Sequence, residues 1–183
     1  MRYCVIDFET TGFAPPQSEV IEFAAVRVED GEIGLHMASL CRPCESYISG
    51  KITQITGITP MMVMGSPVFE ELLPSLLGFI GNDTVVCHNV PFDMSFLGHY
   101  CRSAGIDFSP PTLCTLALAR KFYSYLPSRK LEDLARHLKI ESPGYHRALA
   151  DAMTTAKVLI EMMRRNEAPT TPGAANNRSY LRD

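Results

Sequence analysis

Two acidic residues interrupt an apolar segment near the start of the chain. Asp7 and Glu9 lie within CVIDFETTGF, residues 4–13, whose apolar residues are typical of a buried strand. Alternate residues of a strand share one face, so the two Cα atoms lie about 6.6 Å apart on one side. Burying two charged acids requires a positive partner, and carboxylates at this distance can flank one or two divalent cations. An edge strand with both acids facing water is an equally good interpretation of these two residues alone.

Two further acids lie in segments with helical periodicity. Asp93 lies early in a helix predicted at 89–105, where an acid also stabilises the helix dipole, and it heads an apolar stripe. Asp151 lies at the margin of the apolar stripe of a helix predicted at 147–165. The two stripes comprise Asp93, Phe96, Leu97, Tyr100 and Cys101, and Leu149, Ala152, Met153, Ala156, Leu159, Ile160 and Met163.

Taken together, the four acids predict a single site. Each lies at or beside a buried position, on a first strand, a middle helix and a last helix, and a fold can gather such positions. Hard divalent cations such as Mg²⁺ or Mn²⁺ prefer carboxylate and water oxygens, so these cations are the expected partner.

A histidine precedes the last acid by five residues. On one helix that offset is about 140°, so the side chains of His146 and Asp151 would diverge. If the two act together, His146 must lie in the loop or opening turn, and Gly144 permits a bent approach. A surface histidine without a role is the alternative.

The remaining pattern predicts an α/β layered domain with a mixed sheet. Asp30-Gly31 is a hairpin signal, so the first three strands are expected to form an antiparallel meander. Loop and short helical turns are expected at 52–63. The predicted strands are 2–9, 20–29, 32–42 and 84–88, and the predicted helices are 67–81, 89–105, 113–123, 129–138 and 147–165.

Composition and hydropathy limit the classes of protein to which the chain can belong. The chain of 183 residues is 46% hydrophobic and 20% charged, which suits one domain of a globular protein. It has no segment with the roughly 18 apolar residues of a membrane span and no signal-peptide pattern. We therefore expect a cytoplasmic protein with six reduced cysteines. Residues 1–165 are expected to form the domain and residues 166–183 a disordered tail.

The charges are distributed unevenly along the chain. Residues 1–119 hold 5 basic and 13 acidic side chains, a balance of −8, whereas residues 120–165 hold 10 basic and 5 acidic ones, a balance of +5. This asymmetry permits a basic surface on an acidic protein, although a solvated helix face gives a similar pattern. The motif CRPC at 41–44, with His36 nearby, lacks the second ligand pair of a zinc site, and we do not assign it a metal or redox role.

Three motifs together resemble one enzyme family. The chain contains DFETTG at 7–12, HNVPFDMSFL at 88–97 and HRALADA at 146–152, in that order, and ITQITGI and KLEDLARHLKI lie between them. This arrangement resembles the DEDD exonucleases of the histidine subgroup, typified by the proofreading subunit of bacterial DNA polymerase III. The resemblance covers about residues 1–163 and includes every catalytic position of the family pattern.

The resemblance implies a ribonuclease H-like fold, with a mixed five-stranded sheet flanked by helices, and two-metal hydrolysis. Carried over by position, Asp7, Glu9, Asp93 and Asp151 would hold two Mg²⁺ or Mn²⁺ ions, and His146 would be the general base. The residues expected to contact nucleic acid, with less support than the metal ligands, are Thr10, Thr11, Gly12, Ile55, Thr56, Asn89 and Phe92.

The activity that the resemblance implies is 3′→5′ exonucleolytic cleavage releasing nucleoside 5′-monophosphates, and we expect the substrate to be single-stranded DNA and the role to be proofreading or repair. Two alternatives stay open: an exoribonuclease that trims RNA ends, and a nuclease-like module that binds a polymerase or nucleic acid without cutting. The sequence contains no polymerase domain, so a polymerase partner would bind non-covalently. No membrane partner is expected, and the sequence does not indicate the oligomeric state.

Overall fold

The computed structural model describes residues 2–142, 144 and 146–165, which form a five-stranded sheet with helices on both faces. The predicted tail at 166–183 lies outside the described residues. The strands are β1 Arg2–Thr10, β2 Val20–Glu29, β3 Glu32–Leu40, β4 Thr84–Cys87 and β5 Thr112–Cys114. The helices are α1 Gly50–Thr56, α2 Pro60–Val63, α3 Phe69–Ile80, α4 Val90–Ser103, α5 Thr115–Phe122, α6 Leu131–His137 and α7 Ala148–Arg164.

The sheet has the order β3-β2-β1-β4-β5 and is mixed. Strands β1, β2 and β3 pair antiparallel, whereas β4 and β5 run parallel to β1. Asp30 and Gly31, with φ of 51° and 85°, form the turn between β2 and β3, as a tight hairpin requires. The prediction of an antiparallel meander inside a mixed sheet is therefore confirmed.

The fifth strand differs from the sequence prediction. Thr112–Cys114 pairs with β4, whereas the predicted helix at 113–123 includes most of these residues. The helix begins instead at Thr115. A strand of three residues is too short for its period of two to be distinguished from a buried helical turn. The third strand also ends at Leu40, two residues before the predicted end.

Strand β1 lies in the middle of the sheet and is covered on both faces. Tyr3 and Val5 face a cluster that includes α7, whereas Cys4 and Ile6 face the cluster formed with α3 and α4. Because side chains alternate along a strand, Asp7 and Glu9 continue the face of Tyr3 and Val5. The two acids are thus directed towards the side of the sheet covered by α7.

Helix α7 buries small side chains against the rest of the protein in addition to large apolar ones. Leu149, Met153 and Met163 of the predicted stripe are only partly buried. The fully buried side is formed by Ala148, Asp151, Ala152, Thr154, Thr155, Ala156, Val158, Leu159 and Met162. Small side chains permit close helix–sheet contact, and a search for large apolar residues overlooks them. Asp151 therefore lies on the buried face and not at its margin as predicted.

Helix α4 matches its predicted pattern. Its buried residues are Asp93, Phe96, Leu97, Tyr100 and Cys101. The helix starts directly after β4, whose parallel pairing with β1 places its end beside the acids of β1. Asn89 occupies the N-cap position with φ of 141°, but its side chain forms no capping hydrogen bond.

Two other sequence expectations concern the membrane and the cysteines. Within the described ranges, no helix has both the length and the hydrophobicity to cross a bilayer. All six cysteines are free thiols. In the CRPC segment, Cys41 is buried and Cys44 is exposed.

Candidate active site

Residues from β1, α7 and the loop before α7 meet at the end of the central strand. Carboxylate oxygens of Glu9 and Asp151 and a ring nitrogen of His146 all lie within 4.8 Å of one another. Glu9 is half-buried, Asp151 is buried and His146 is exposed. Among the described residues, these three form the one group of acidic, histidine or cysteine side chains close enough to bind a metal ion together.

The other two predicted acids lie against the same strand end. Asp93 is 4% exposed, and its Oδ1 accepts a hydrogen bond of 3.1 Å from the backbone N–H of Phe8. Phe8 lies between Asp7 and Glu9, so this bond fixes α4 to the acidic end of β1. The charges of Asp93, Asp151 and Glu9 all act on Asp7. The structure therefore brings together the four predicted acids and His146.

Loss of water and mutual repulsion disfavour the ionised carboxylates. Burial, reinforced by Asp151, Glu22 and Asp93, raises the pKa of Glu9 to about 8. Burial raises the pKa of Asp93 to about 7. Burial also raises the pKa values of Asp7 and Asp151, for Asp7 with added repulsion from the neighbouring acids. A site with these shifts has a strong electrostatic demand for a positive ligand.

The hydrogen bonds of Asp151 leave one of its carboxylate oxygens available to such a ligand. Asp151 Oδ1 is buried without a hydrogen-bond partner among the described atoms, although Oδ2 accepts the backbone N–H of His146 at 2.9 Å. A buried carboxylate oxygen without a partner is costly, and a hard cation is the ligand that carboxylates prefer. The donor set therefore fits divalent cations held by the four acids.

His146 lies in the bend before α7, as its spacing from Asp151 predicts. Its φ is 60° and that of Gly144 is 150°, so the chain turns sharply before the helix begins at Ala148. The backbone of His146 is held by Asp151, whereas its imidazole is exposed. This arrangement leaves the ring free to approach a substrate while its main chain is anchored.

A fifth acid and an arginine were missed in the sequence. Glu22 on β2 pairs with Glu9 on β1 and is 5% exposed. Arg147 donates to its carboxylate from Nη2 at 2.7 Å and from Nε at 3.0 Å, and the backbone N–H of Ala148 donates at 2.9 Å. The pair thus ties the first residue of α7, and the His146 bend before it, to the sheet.

Glu22 differs from the four predicted acids in one respect. Its carboxylate is matched by a guanidinium and a backbone N–H, whereas the oxygen Asp151 Oδ1 has no partner among the described atoms. The signal in the sequence was the same in both cases: Glu22 interrupts the apolar run VIEFAAV as Asp7 interrupts CVIDF. Only the structure separates a compensated acid from one that needs a ligand.

The residues after Glu9 form a turn with little spare space. The Thr10 hydroxyl donates to the carbonyl of Gly12 at 2.6 Å, and a Cβ added to Gly12 would collide with Ser18 Oγ. Thr11 Oγ1 accepts the backbone N–H of Glu19 and contacts Ser46 Oγ, each at 2.9 Å. The main chain here is therefore held next to the acids, where a terminal nucleotide could approach it.

The other predicted nucleic-acid contacts differ in their availability. Ile55 is 45% exposed, but the Thr56 hydroxyl already donates to Ile52 and accepts from Ile58. Any contact of Thr56 with nucleic acid would thus use another part of the residue. Asn89 is exposed, and half-buried Phe92 packs on Phe96 with ring centroids 5.3 Å apart. Asn89 and Phe92 lie at the start of α4, where Asp93 joins the acids of β1.

Comparisons with known proteins agree with this geometry. The family model described as Exonuclease matches residues 4–159. The DNA polymerase III subunit epsilon of Aquifex aeolicus is 43% identical over 162 residues, which are 88% of this chain and 80% of that subunit. A PolC-type DNA polymerase III of Clostridium perfringens is 40% identical over 158 residues, or 86% of this chain, but these are only 11% of the polymerase.

Solved structures show the same fold. Exonuclease X in complex with 5′ overhanging duplex DNA has a TM-score of 0.76 at 30% identity, covering 91% of this chain and 94% of that one. The nuclease domain of 3′hExo, a DEDDh family member bound to rAMP, has a TM-score of 0.78 at 23% identity, covering 92% and 94%. The ribonuclease H-like fold predicted by the resemblance is confirmed, since such exonucleases share it.

The first testable consequence concerns the Glu22–Arg147 pair. Glu22→Gln removes the charge that matches Arg147, so we expect a loss of about 1–2 kcal/mol in the free energy of unfolding. Because the pair holds the His146 bend, kcat for phosphodiester hydrolysis should also fall. The matched control is Glu29→Gln, the same change at an exposed position of β2, which should alter neither quantity. Urea denaturation and kcat measurements for both variants check this, and unchanged values for Glu22→Gln would contradict the anchoring role.

A second consequence concerns pH and metal ions. The raised pKa values of Glu9 and Asp93 mean that the folded protein favours their protonated forms. This contribution to stability is complete below the unfolded-state pKa values and is lost as pH rises from about 4 to about 8. In EDTA the melting temperature should therefore fall between pH 5 and pH 8, and Mn²⁺ should restore most of the loss at pH 8. Scanning calorimetry measures both effects. The variant Glu9→Gln should show a smaller fall in melting temperature between pH 5 and pH 8. A melting temperature in EDTA that rises towards pH 8 would contradict the electrostatic account.

Proposed function

Because this chain belongs to the exonuclease family and is a 3′→5′ exonuclease, we propose that it removes nucleotides from the 3′ end of single-stranded DNA. The products would be nucleoside 5′-monophosphates, and the role would be proofreading or repair. The residues proposed to hold two Mg²⁺ or Mn²⁺ ions are Asp7, Glu9, Asp93 and Asp151, and the proposed general base is His146.

The observation that carries this proposal is the gathering of acids whose charges the protein itself does not balance. Asp151 Oδ1 is buried and unpartnered among the described atoms, and the pKa of each of the four acids is raised by burial. A non-catalytic module would have no need for this arrangement, because unmatched buried carboxylates only reduce stability. Family members use divalent metals, but which metal this chain uses is part of the proposal.

The chemistry follows from the positions of the residues. Divalent cations held by the four acids would supply a more acidic water and stabilise charge on the leaving 3′ oxygen. The exposed imidazole of His146 accepts the proton of the attacking water, since imidazole is the side chain that exchanges protons most readily near neutral pH. The backbone N–H of His146, bonded to Asp151, keeps the base beside the acids. The turn at Thr10–Gly12 would receive the terminal nucleotide.

DNA is proposed as the substrate because of the relatives. The relative that is 43% identical over most of both chains is a subunit of a DNA polymerase, and Exonuclease X was solved with duplex DNA. By the same analogy, a DNA polymerase is the proposed non-covalent partner. RNA stays the second candidate, because a 3′-exonuclease with this fold specifically recognises the 3′ end of a histone mRNA stem-loop. A cytoplasmic location stays a prediction.

The test of this proposal uses end-labelled oligonucleotides. We expect hydrolysis of single-stranded DNA from the 3′ end with Mg²⁺ or Mn²⁺, slower hydrolysis of RNA, and none with excess EDTA. Asp7→Asn should abolish hydrolysis without unfolding the protein, because the change keeps the side-chain volume and removes only the charge. Circular single strands are the control, since they offer no end and should resist digestion. Full activity in EDTA or rapid cutting of circles would refute the proposal, and preferential hydrolysis of RNA would favour the second candidate.

A separate prediction concerns His146. A general base contributes typically about 10²–10⁴-fold to rate, so His146→Ala should lower kcat by that order. Metal binding should persist if the four acids alone hold the ions, whereas loss of an acid should weaken it. Single-turnover hydrolysis from pH 5.5 to 9 and calorimetric titration with Mn²⁺ separate the two outcomes. Turnover at the parent's rate would exclude His146 as the base, and lost Mn²⁺ binding would make it a metal ligand instead.

A further inference from the structure

A cleft of about 630 Å³ joins the active-site acids to a set of cations. Its lining includes His146 and Asp151 from the site described above. It also includes Arg120 of α5 and Arg129 and Lys130, which precede α6. We call these three residues the cationic wall. The uneven charge pattern of the sequence permits a basic surface in this part of the chain, and the wall is the part of it that faces the catalytic residues.

The exposed cations of the wall lack close polar contacts within the described residues. Arg120 and Lys130 are exposed, and within the described part of the chain their side chains form no hydrogen bond or ion pair. Arginines elsewhere in this region are paired: Arg136 with Asp133, Arg147 with Glu22, and Arg164 and Arg165 with Glu161. The two exposed charges that face the cleft are therefore available to a ligand.

A histidine from the second motif holds the wall in place. His88 follows β4, and its Nε2 lies 3.0 Å from the carbonyl oxygen of Arg129 while its Nδ1 lies 2.9 Å from Thr115 Oγ1. Since a carbonyl only accepts, Nε2 carries the hydrogen and, in a neutral ring, Nδ1 accepts from the Thr115 hydroxyl. One ring thus joins the sheet to the start of α5 and to the segment before α6.

One side chain of the cationic wall is itself held in place by a hydrogen bond. Arg129 is half-buried, and its guanidinium donates to the carbonyl of Leu126. Burial lowers the pKa of His88 to about 4, so at neutral pH this residue positions the wall without adding charge to it. Glu132 is the one carboxylate besides Asp151 among the described lining residues. The wall therefore presents a net positive surface of defined shape.

We propose that Arg120, Arg129 and Lys130 form a second subsite, which binds the phosphodiester backbone of the substrate strand on the 5′ side of the terminal nucleotide. This inference rests on the proposed function, because a strand whose 3′ end lies at the acids must continue away from them. The acids repel its phosphates, so a continuous path requires cations beside them. Contacts between Lys or Arg and phosphates do not depend on base sequence, as removal of any terminal nucleotide requires.

The test compares two double variants with the same loss of charge. Arg120→Ala with Lys130→Ala removes two cations of the wall. Lys121→Ala with Arg136→Ala is the matched control, because Lys121 packs over Phe122 and Arg136 pairs with Asp133 away from the cleft. Arg120→Lys with Lys130→Arg keeps both charges. The probe is fluorescent single-stranded DNA of about 15 nucleotides, with Ca²⁺ in place of Mg²⁺, titrated by anisotropy at several salt concentrations.

The expected result is specific to the wall variant. Loss of two phosphate contacts should make the negative slope of log K against log salt less steep by about 1.4. Binding should weaken roughly 10- to 30-fold near 0.1 M salt. The control should bind within about twofold of the parent, and the charge-retaining variant should follow the parent. In hydrolysis assays the rise in KM caused by the wall variant should grow with strand length, since a longer strand reaches more of the subsite.

Each other outcome has a definite meaning. Equal losses in both double variants would show attraction by overall charge and overturn the subsite, and so would the absence of any loss. The binding measurement does not depend on turnover. A parent protein that binds strands but hydrolyses no 3′ end would refute the proposed function while the comparison of variants still decides on the subsite.

Discussion

Repulsion among carboxylates at the end of the central strand is the constraint on which the rest of the structure depends. Parallel pairing of β1 with β4 places Asp93 beside the strand that carries Asp7 and Glu9, and close packing of α7 adds Asp151 from the facing helix. A hydrophobic core covers both faces of β1, so water cannot relieve the repulsion fully. The fold thereby holds acids in a state that a cation stabilises, and the proposed catalysis and metal binding draw on the same arrangement.

The presence or absence of a partner separates the structural charges of this protein from those assigned to function. Glu22 and Arg147 satisfy each other and fix the start of α7, whereas the Oδ1 atom of Asp151 has no partner among the described atoms. The same distinction applies to the described cations, since Arg136 is paired and Arg120 is not. A charge that forms an ion pair within the protein stabilises the fold. A charge at a cleft without such a partner can interact with a ligand.

The sequence predicted the elements that carry acids better than the contacts that hold them. The apolar run around Asp7 and the stripe headed by Asp93 are local patterns, and both were predicted correctly. The buried face of α7 was predicted less well, because small residues such as Ala152 pack closely without a strong hydrophobic signal. Glu22 could not be interpreted at all, since its partner Arg147 lies 125 residues away. Long-range pairing of this kind leaves no periodicity in the chain.

Asp151 connects the two parts of the proposed mechanism. Its Oδ2 atom accepts the backbone N–H of His146, and its Oδ1 atom is buried and unpartnered among the described atoms. One carboxylate thus holds the loop of the proposed general base and offers a ligand atom for a cation. A shift of α7 would move both, so the position of the proposed base and the geometry of the proposed metal site cannot vary independently. The hydrogen bond from the backbone N–H of Ala148 to Glu22 restrains that shift. The Glu22–Arg147 pair at the start of α7 therefore helps to fix the positions of Asp151 and His146.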